Sequence, residues 1–341
     1  MKNASREAMD TARGIPVRAA RDTVCGVCGN ARGNAVVVAR EMMFGLRDTF
    51  EYLECADCGC LQLIDPPGDY SPYYRRGDYY SFGQPQPPRW WKRWLRRVWA
   101  RHSTGQRDTI GAIVASVRGE MLPRSWFTET GVVPESRILD VGCGGGGLLA
   151  LLNEAGFHRV EGCDPFIDEE TVLKGGARIH KKTMAEMVGP FDLVMMHHSL
   201  EHMPDTYEAL KESFRLLTPG GWCLVRIPIS SCVAWRTYRA DWVQLDPPRH
   251  LFVHSVASLS LVAHRVGFRL ARVMYDSTEF QFWASEQYRR GIPLNDPLSR
   301  SRGGRGTDCS PKEMEIYRRD ARRLNATGEG DQAAFFLHRP D

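Results

Sequence analysis

Residues 137–147 read Arg-Ile-Leu-Asp-Val-Gly-Cys-Gly-Gly-Gly-Gly and constrain the chain more than any other stretch. Ile138, Leu139 and Val141 form an apolar strand that carries one acid, Asp140, near its end. The strand runs into a turn packed with glycine, and Leu148–Ala155 follow with helical character. Glycine lets backbone N–H groups approach a ligand with no Cβ in the way, and the N-terminus of the next helix favours negative charge. Gly142, Gly144 and Gly147 fit the spacing G-x-G-x-x-G of nucleotide-binding turns, which several enzyme classes share.

The segments that follow narrow the choice. Val160–Asp164 reads as a second strand ending in an acid suited to ribose hydroxyls. Phe191–Met196 is a third strand, and it leads into His197-His198-Ser199-Leu200-Glu201-His202. A helix over Tyr207–Leu217 gives way to Leu217-Thr218-Pro219-Gly220-Gly221 and a strand over Trp222–Ile227. The order D-x-G-x-G-x-G, acid-ended strand, F-D-x-V and L-x-P-G-G resembles the class I S-adenosylmethionine (SAM) methyltransferases over residues 137–275. The resemblance implies an α/β fold, a Rossmann-like, seven-stranded doubly wound sheet. It also implies the cofactor contacts. Asp140, Gly142, Cys143, Gly144 and Gly146 would shape the loop around the methionine and ribose moieties. Asp164, with Pro165 beside it, would bind the ribose diol. Thr183 and Met184 would flank the adenine, and His197 would border the sulfonium.

Upstream, two C-x-x-C-G pairs, Cys25/Cys28 and Cys55/Cys58, make a zinc-ribbon pattern with strand-like runs between them. Two thiolates two residues apart can grip one metal, and the glycine lets each turn close. Four protein ligands imply a structural zinc. A ribbon followed by the tyrosine-rich segments 70–74 and 79–82 and a SAM domain resembles the deoxysugar C-methyltransferases and related saccharide methyltransferases. The tyrosines then either cover the cofactor or acceptor mouth or pack as a connector.

The linker 84–88 precedes a basic, tryptophan-rich segment, 89–101. On a helix, Trp90, Trp91, Trp94, Leu95, Val98 and Trp99 share one face. That face suits either an anionic membrane interface or packing on the domain. Nucleic acid ranks below both, since single strands need a groove rather than a helical stripe and the net charge is only +4. The domain reading is a zinc ribbon with tyrosine segment over 22–83, linker and basic helix over 84–107, and a methyltransferase domain over 108–341. Acceptor-site insertions are expected at about 228–256 and 276–330. The N-terminus has no signal-like apolar core and no segment is apolar enough to span a bilayer, which predicts a cytoplasmic protein, peripheral to the inner membrane face if the tryptophan face meets lipid.

Methyl transfer needs alignment, exclusion of water and, for a hydroxyl acceptor, removal of a proton. His250, in Asp246-Pro247-Pro248-Arg249-His250, is the expected base, or else a structural helix cap. The deoxysugar enzymes carry an acid and a tyrosine before the matching histidine. Here Arg249 replaces the acid and no tyrosine is near in sequence, which favours oxygen over carbon as the methylated atom. His198, Glu201 and His202 form a second cluster. In the ubiquinone-pathway O-methyltransferases the matching positions hold two acids and a histidine that bind a divalent cation; here His198 replaces one acid. The cluster either holds a softer metal or organises the site. The favoured activity is O-methylation of a saccharide or glycoconjugate hydroxyl, the acceptor being either a saccharide or a lipid- or nucleotide-linked sugar. The alternatives are C-methylation of a nucleotide-linked keto-deoxysugar and a non-catalytic SAM-binding scaffold.

Overall fold

The computed structural model describes residues 8–9, 16–19, 23–74, 90–304 and 309–341. Tyr79, Tyr80, the linker 84–88 and Arg89 lie outside the described residues.

The front part carries strands β1 (Ala8–Met9), β2 (Pro16–Ala19), β3 (Ala35–Arg40), β4 (Thr49–Glu54) and β5 (Leu61–Leu63). Helices α1 (Trp90–Ser103), α2 (Thr109–Arg118) and α3 (Ser125–Thr130) lead into β6 (Ile138–Val141) and α4 (Gly147–Ala155). Then come β7 (Val160–Cys163), β8 (Thr171–Val172), β9 (Arg178–His180), β10 (Phe191–His197), α5 (Thr206–Leu216) and β11 (Leu217–Pro228). The chain closes with α6 (Val233–Tyr238), β12 (Phe252–Val253), α7 (Val256–Val266), β13 (Arg269–Tyr275), α8 (Phe280–Arg289), α9 (Pro311–Thr327) and β14 (Gln332–His338).

The larger sheet has the order β13-β14-β11-β10-β6-β7-β9-β8. β9, β7, β6, β10 and β11 are parallel, and β14 inserts antiparallel between β11 and β13. The expected count of seven rises to eight because the two-residue β8 folds back on β9 at the edge. Side chains alternate across the sheet, as the pleat requires. On β10, Val194 and Met196 join the layer holding Leu210 and Leu259 of α5 and α7. Leu193 and Met195 face the layer holding Phe127 and Leu152 of α3 and α4. With both faces covered, β6 is buried along its whole length, which is why it reads as an apolar run. Its single acid therefore stands at the end of a strand buried on both sides.

The smaller sheet has the order β1-β2-β3-β4-β5-β12. Its last strand comes from the segment after β11: Phe252 pairs with Gln62 and Val253 with Leu61. This ties the cysteine-bearing part to the loop that carries His250. Arg249 strengthens the tie. It is buried and bonds Glu41 at 3.0 Å, Asp246 at 2.5 Å and the Tyr73 carbonyl at 3.1 Å.

The tryptophan stripe is divided. Val98 is buried, and Trp99 is half-buried with its Nε1 donating to the Gly119 carbonyl at 2.9 Å. Trp91 and Trp94 are exposed. The C-terminal half of the stripe is thus a packing face, since α1 also ion-pairs to α4 through Arg96–Glu154 at 2.8 Å. Among the described residues no helix is long and apolar enough to cross a membrane.

Candidate active site

The strand ends β6, β7 and β10 converge on the glycine turn. Gly142 has φ +73°, and a Cβ there would lie 2.6 Å from the Ser199 Cβ, so the turn and the end of β10 meet in a way only glycine allows. Gly142 N–H donates to the Cys163 carbonyl at 2.8 Å. Gly144 N–H donates to Asp164 Oδ2 at 3.0 Å, and Phe166 N–H donates to Oδ1 at 2.9 Å. Asp164 thereby holds the turn open, while Pro165 beside it is exposed. Gly146 caps α4 in the left-handed region. Burial and the Asp164 charge push the Asp140 carboxyl up to about 7. Burial also pushes the Cys143 thiol up.

His197 stacks on Trp126 with ring centroids 4.5 Å apart. Burial and the positive charge of Arg226 hold it well below the usual histidine range. Its Nε2 and the Ser199 hydroxyl are buried with no hydrogen-bond partner among the described residues. A turn without side chains at its glycines, two acids and two orphaned polar atoms fit a polar ligand such as SAM. The Thr183 and Met184 side chains are committed elsewhere. Thr183 forms a capping box with Glu186, and Met184 packs in the core with its Sδ accepting from Ser213 at 3.4 Å.

Beyond Ser199 the chain makes one 3-10 turn, Leu200–His202. His198 has φ +52°. Its Nε2 lies 2.7 Å from Arg226 Nη1, which can only donate, so Nε2 accepts and Nδ1 donates to Glu201 Oε1 at 3.2 Å. Both nitrogens of His198 are therefore occupied, and it is not free to ligate a metal with Glu201 and His202. Arg226 in turn bonds Asp276 at 2.5 Å.

His250 takes the place of His198 in the cluster. His202 Nδ1 donates to the Arg249 carbonyl at 2.8 Å, and His250 Nδ1 donates to the Gln244 carbonyl at 2.8 Å. A carbonyl only accepts, so both rings carry their proton on Nδ1 and present a bare Nε2. The rings stand 4.8 Å apart, and one ligand atom each from Glu201, His202 and His250 lie within 4.8 Å of one another. Glu201 is fully buried, and its Oε2 has no hydrogen-bond partner among the described residues. Burial raises its carboxyl, but the His198 hydrogen bond and the neighbouring imidazoles outweigh this and hold it at about 2. Burial and His202 push His250 down to about 4.

An acid four residues before His250 and a tyrosine from the front part stand beside the two histidines. Asp246 Oδ2 lies 3.9 Å from His250 Nε2, and the Tyr74 hydroxyl lies 3.2 Å from His202 Nδ1. Tyr74 thus reaches the site, in keeping with the tyrosine segment lying near it. Next to the cluster is a cavity of about 140 Å³, lined among others by Arg226, Gln244, Ser277, Gln281, Asp331 and Gln332. The Gln281 Oε1 is buried and unpaired among the described residues. The sequence assigned no role to Ser199, Trp126, Arg226 or Asp246. Arg226 alone left a signal, as a charge inside the apolar run Cys-Leu-Val-Arg-Ile.

The four expected zinc ligands come together. Cys25 and Cys58 sulfurs are 3.7 Å apart, Cys28 and Cys55 sulfurs 3.5 Å, and all four lie within 4.8 Å of one another. The set fits one tetrahedral ion. Cys60 faces away from it, toward His254.

Residues 88–273 match a family of methyltransferase domains. The chain belongs to this family. Ubiquinone biosynthesis O-methyltransferases from Bordetella avium and Pseudomonas aeruginosa are each 32% identical to it. The matches run over 111 and 112 residues, 28% of this chain in both cases and 45% and 46% of those proteins. The chain thus spans about half the length of these curated relatives. A SAM-dependent methyltransferase from Archaeoglobus fulgidus is similar in structure, with 17% identity, a TM-score of 0.38, and coverage of 60% of this chain and 86% of that one. The SAM-type glycine turn thus sits in a methyltransferase domain, and the sheet around it is a Rossmann-like α/β sheet, mostly parallel.

Proposed function

We propose that the protein moves a methyl group from SAM to a hydroxyl oxygen of a saccharide-type acceptor. SAM supplies an electrophilic methyl on a sulfonium. The acceptor oxygen forms the new bond to that carbon as the carbon–sulfur bond breaks, and the sulfur keeps the electron pair. Asp140, the glycine turn and Asp164 bind the cofactor, with Asp164 accepting from the ribose hydroxyls. His197 and Ser199 complete that side. The hydroxyl proton leaves at the Glu201–His202–His250 cluster.

The observation that carries this reading is that His250 converges on Glu201 and His202, which lie just beyond Ser199, and Ser199 touches the glycine turn. The polar lining of the adjoining cavity supports a hydroxyl-rich acceptor, because amide, hydroxyl and carboxylate groups recognise alcohols and apolar walls do not. Tyr74 beside His202 favours a second reading, carbon methylation next to a ketone, in which the phenol helps position an enolate oxygen. The cysteine tetrad holds a structural zinc, measurable by metal analysis and lost in Cys58→Ser.

Incubation with methyl-labelled SAM and a panel of free, nucleotide-linked and lipid-linked sugars, read by mass spectrometry, tests the reading. Label on oxygen supports it, label on carbon favours the second reading, and SAM binding with no transfer to any class counts against both. His250→Ala is expected to lower turnover by about two to four decades.

A further inference from the structure

We infer that the outer side of the α1–α2 helix pair docks on an anionic lipid surface. The inference depends neither on the acceptor nor on the methylated atom.

The argument begins with how the two helices pack. A water-facing helix ordinarily buries its large apolar side chains and exposes its polar ones. α2 does the reverse. Its buried residue is Gly111, and a Cβ there would lie 2.1 Å from the Val98 carbonyl oxygen of α1, so the helices approach as closely as glycine allows. Its large aliphatic residues Ile110, Ile113 and Val117 are instead 42%, 66% and 82% exposed. At i, i+3 and i+7 they form one stripe. α1 adds a second exposed stripe at the same kind of spacing, Trp91, Trp94, Arg97 and Arg101. Exposed apolar side chains grouped in this way mark an interaction surface, where single scattered ones do not.

Charge selects the occupant. α1 carries Lys92, Arg93, Arg96, Arg97 and Arg101 and no acid, and α2 carries Arg118 and no acid. Arg96 is spent on Glu154 of α4, and Arg101 approaches Asp108, the cap of α2, only at 3.8 Å. Arg97, Arg101 and Arg118 are exposed. Pairing this face with itself on a second copy of the chain would bring like charges together, with no acid on either helix to offset them. A nucleic acid would take the arginines and leave Ile113 and Val117 without a partner. A bilayer with anionic headgroups takes both. Tryptophan settles at the headgroup level, aliphatic side chains reach the acyl boundary, and arginines meet lipid phosphates. At 14 residues α1 is too short to span a bilayer, so the contact is interfacial.

Vesicle co-sedimentation of the full chain tests this, with vesicles of phosphatidylcholine alone and of equal parts phosphatidylcholine and phosphatidylglycerol. The expected result is binding to the mixed vesicles, little to the neutral ones, and loss as salt rises. Two variants separate the parts of the surface. Ile113→Ser with Val117→Ser removes apolar burial, and Arg97→Gln with Arg118→Gln removes cationic charge. Each is expected to weaken binding about tenfold or more. All of these positions are exposed, so both variants are expected to keep the wild-type melting transition. Trp94 reports the contact directly, since brominated lipid should quench wild-type emission more than that of Trp94→Phe. No binding to the mixed vesicles, or binding that either variant leaves unchanged, would overturn the inference. So would a dimer in solution that Ile113→Ser with Val117→Ser dissolves, because the face would then belong to a second copy.

Discussion

Asp140→Asn should make the ligand-free protein more stable at neutral pH while weakening cofactor binding. Burial and the Asp164 charge hold the Asp140 carboxyl at about 7, against 3.8 for an ordinary aspartate. Below 3.8 the folded and unfolded chains are both protonated and the group contributes nothing. Between the two values the folded protein keeps a proton that the unfolded chain releases, so stability falls as pH rises. Above 7 the whole penalty is present. At about 1.4 kcal/mol per pH unit this is on the order of 4 kcal/mol, and roughly 3 kcal/mol of it develops between pH 5 and pH 8. Asparagine cannot ionise and escapes it. Asp164, Cys143 and Cys163 face the same pocket. They are common to both proteins, as are Asp331, held at about 6, and His250 and His254, both held at about 4, so the difference between variant and wild type isolates Asp140. Urea unfolding of both proteins at pH 5, 6, 7 and 8 reads it directly. The stability of Asp140→Asn relative to wild type should climb across the series. A difference that stays flat within about 0.5 kcal/mol would refute the burial argument for this acid.

Two further outcomes follow from single side chains. Asp164→Ala removes the acceptor of the Gly144 and Phe166 N–H groups along with the ribose partner, and SAM affinity should drop about a hundredfold or more by calorimetry. Arg249→Met leaves Glu41 and Asp246 without their cation at the junction of the two sheets, and should cost about 3–5 kcal/mol in denaturant unfolding.

Much of the fold was legible because its signals are local. The apolar run at 138–141, the glycine turn and the acid at 164 each state their role within a few residues, and the paired cysteines declare their shared site by spacing. What escaped was set by contacts between distant segments. Nothing around His250 says that β12 will pair with β5, nor that this pairing brings its ring to His202. Cluster membership changed for the same reason: His198 is adjacent in sequence, but Arg226 on β11 occupies it. The tryptophan stripe shows a different limit. Periodicity finds the face of α1, yet core and interface share that pattern, and only packing separates Val98 and Trp99 from Trp91 and Trp94.

The glycine turn and its two acids are the proposed SAM site. Isothermal titration of SAM into the wild-type protein and into Gly146→Val tests it most directly. In the variant a side chain would enter the space held by Ile179 at a position with φ +74°. The expected result is one SAM per wild-type chain with a dissociation constant of micromolar order, and no measurable heat with the variant. A wild-type protein that binds no SAM at millimolar concentration would contradict the central claim.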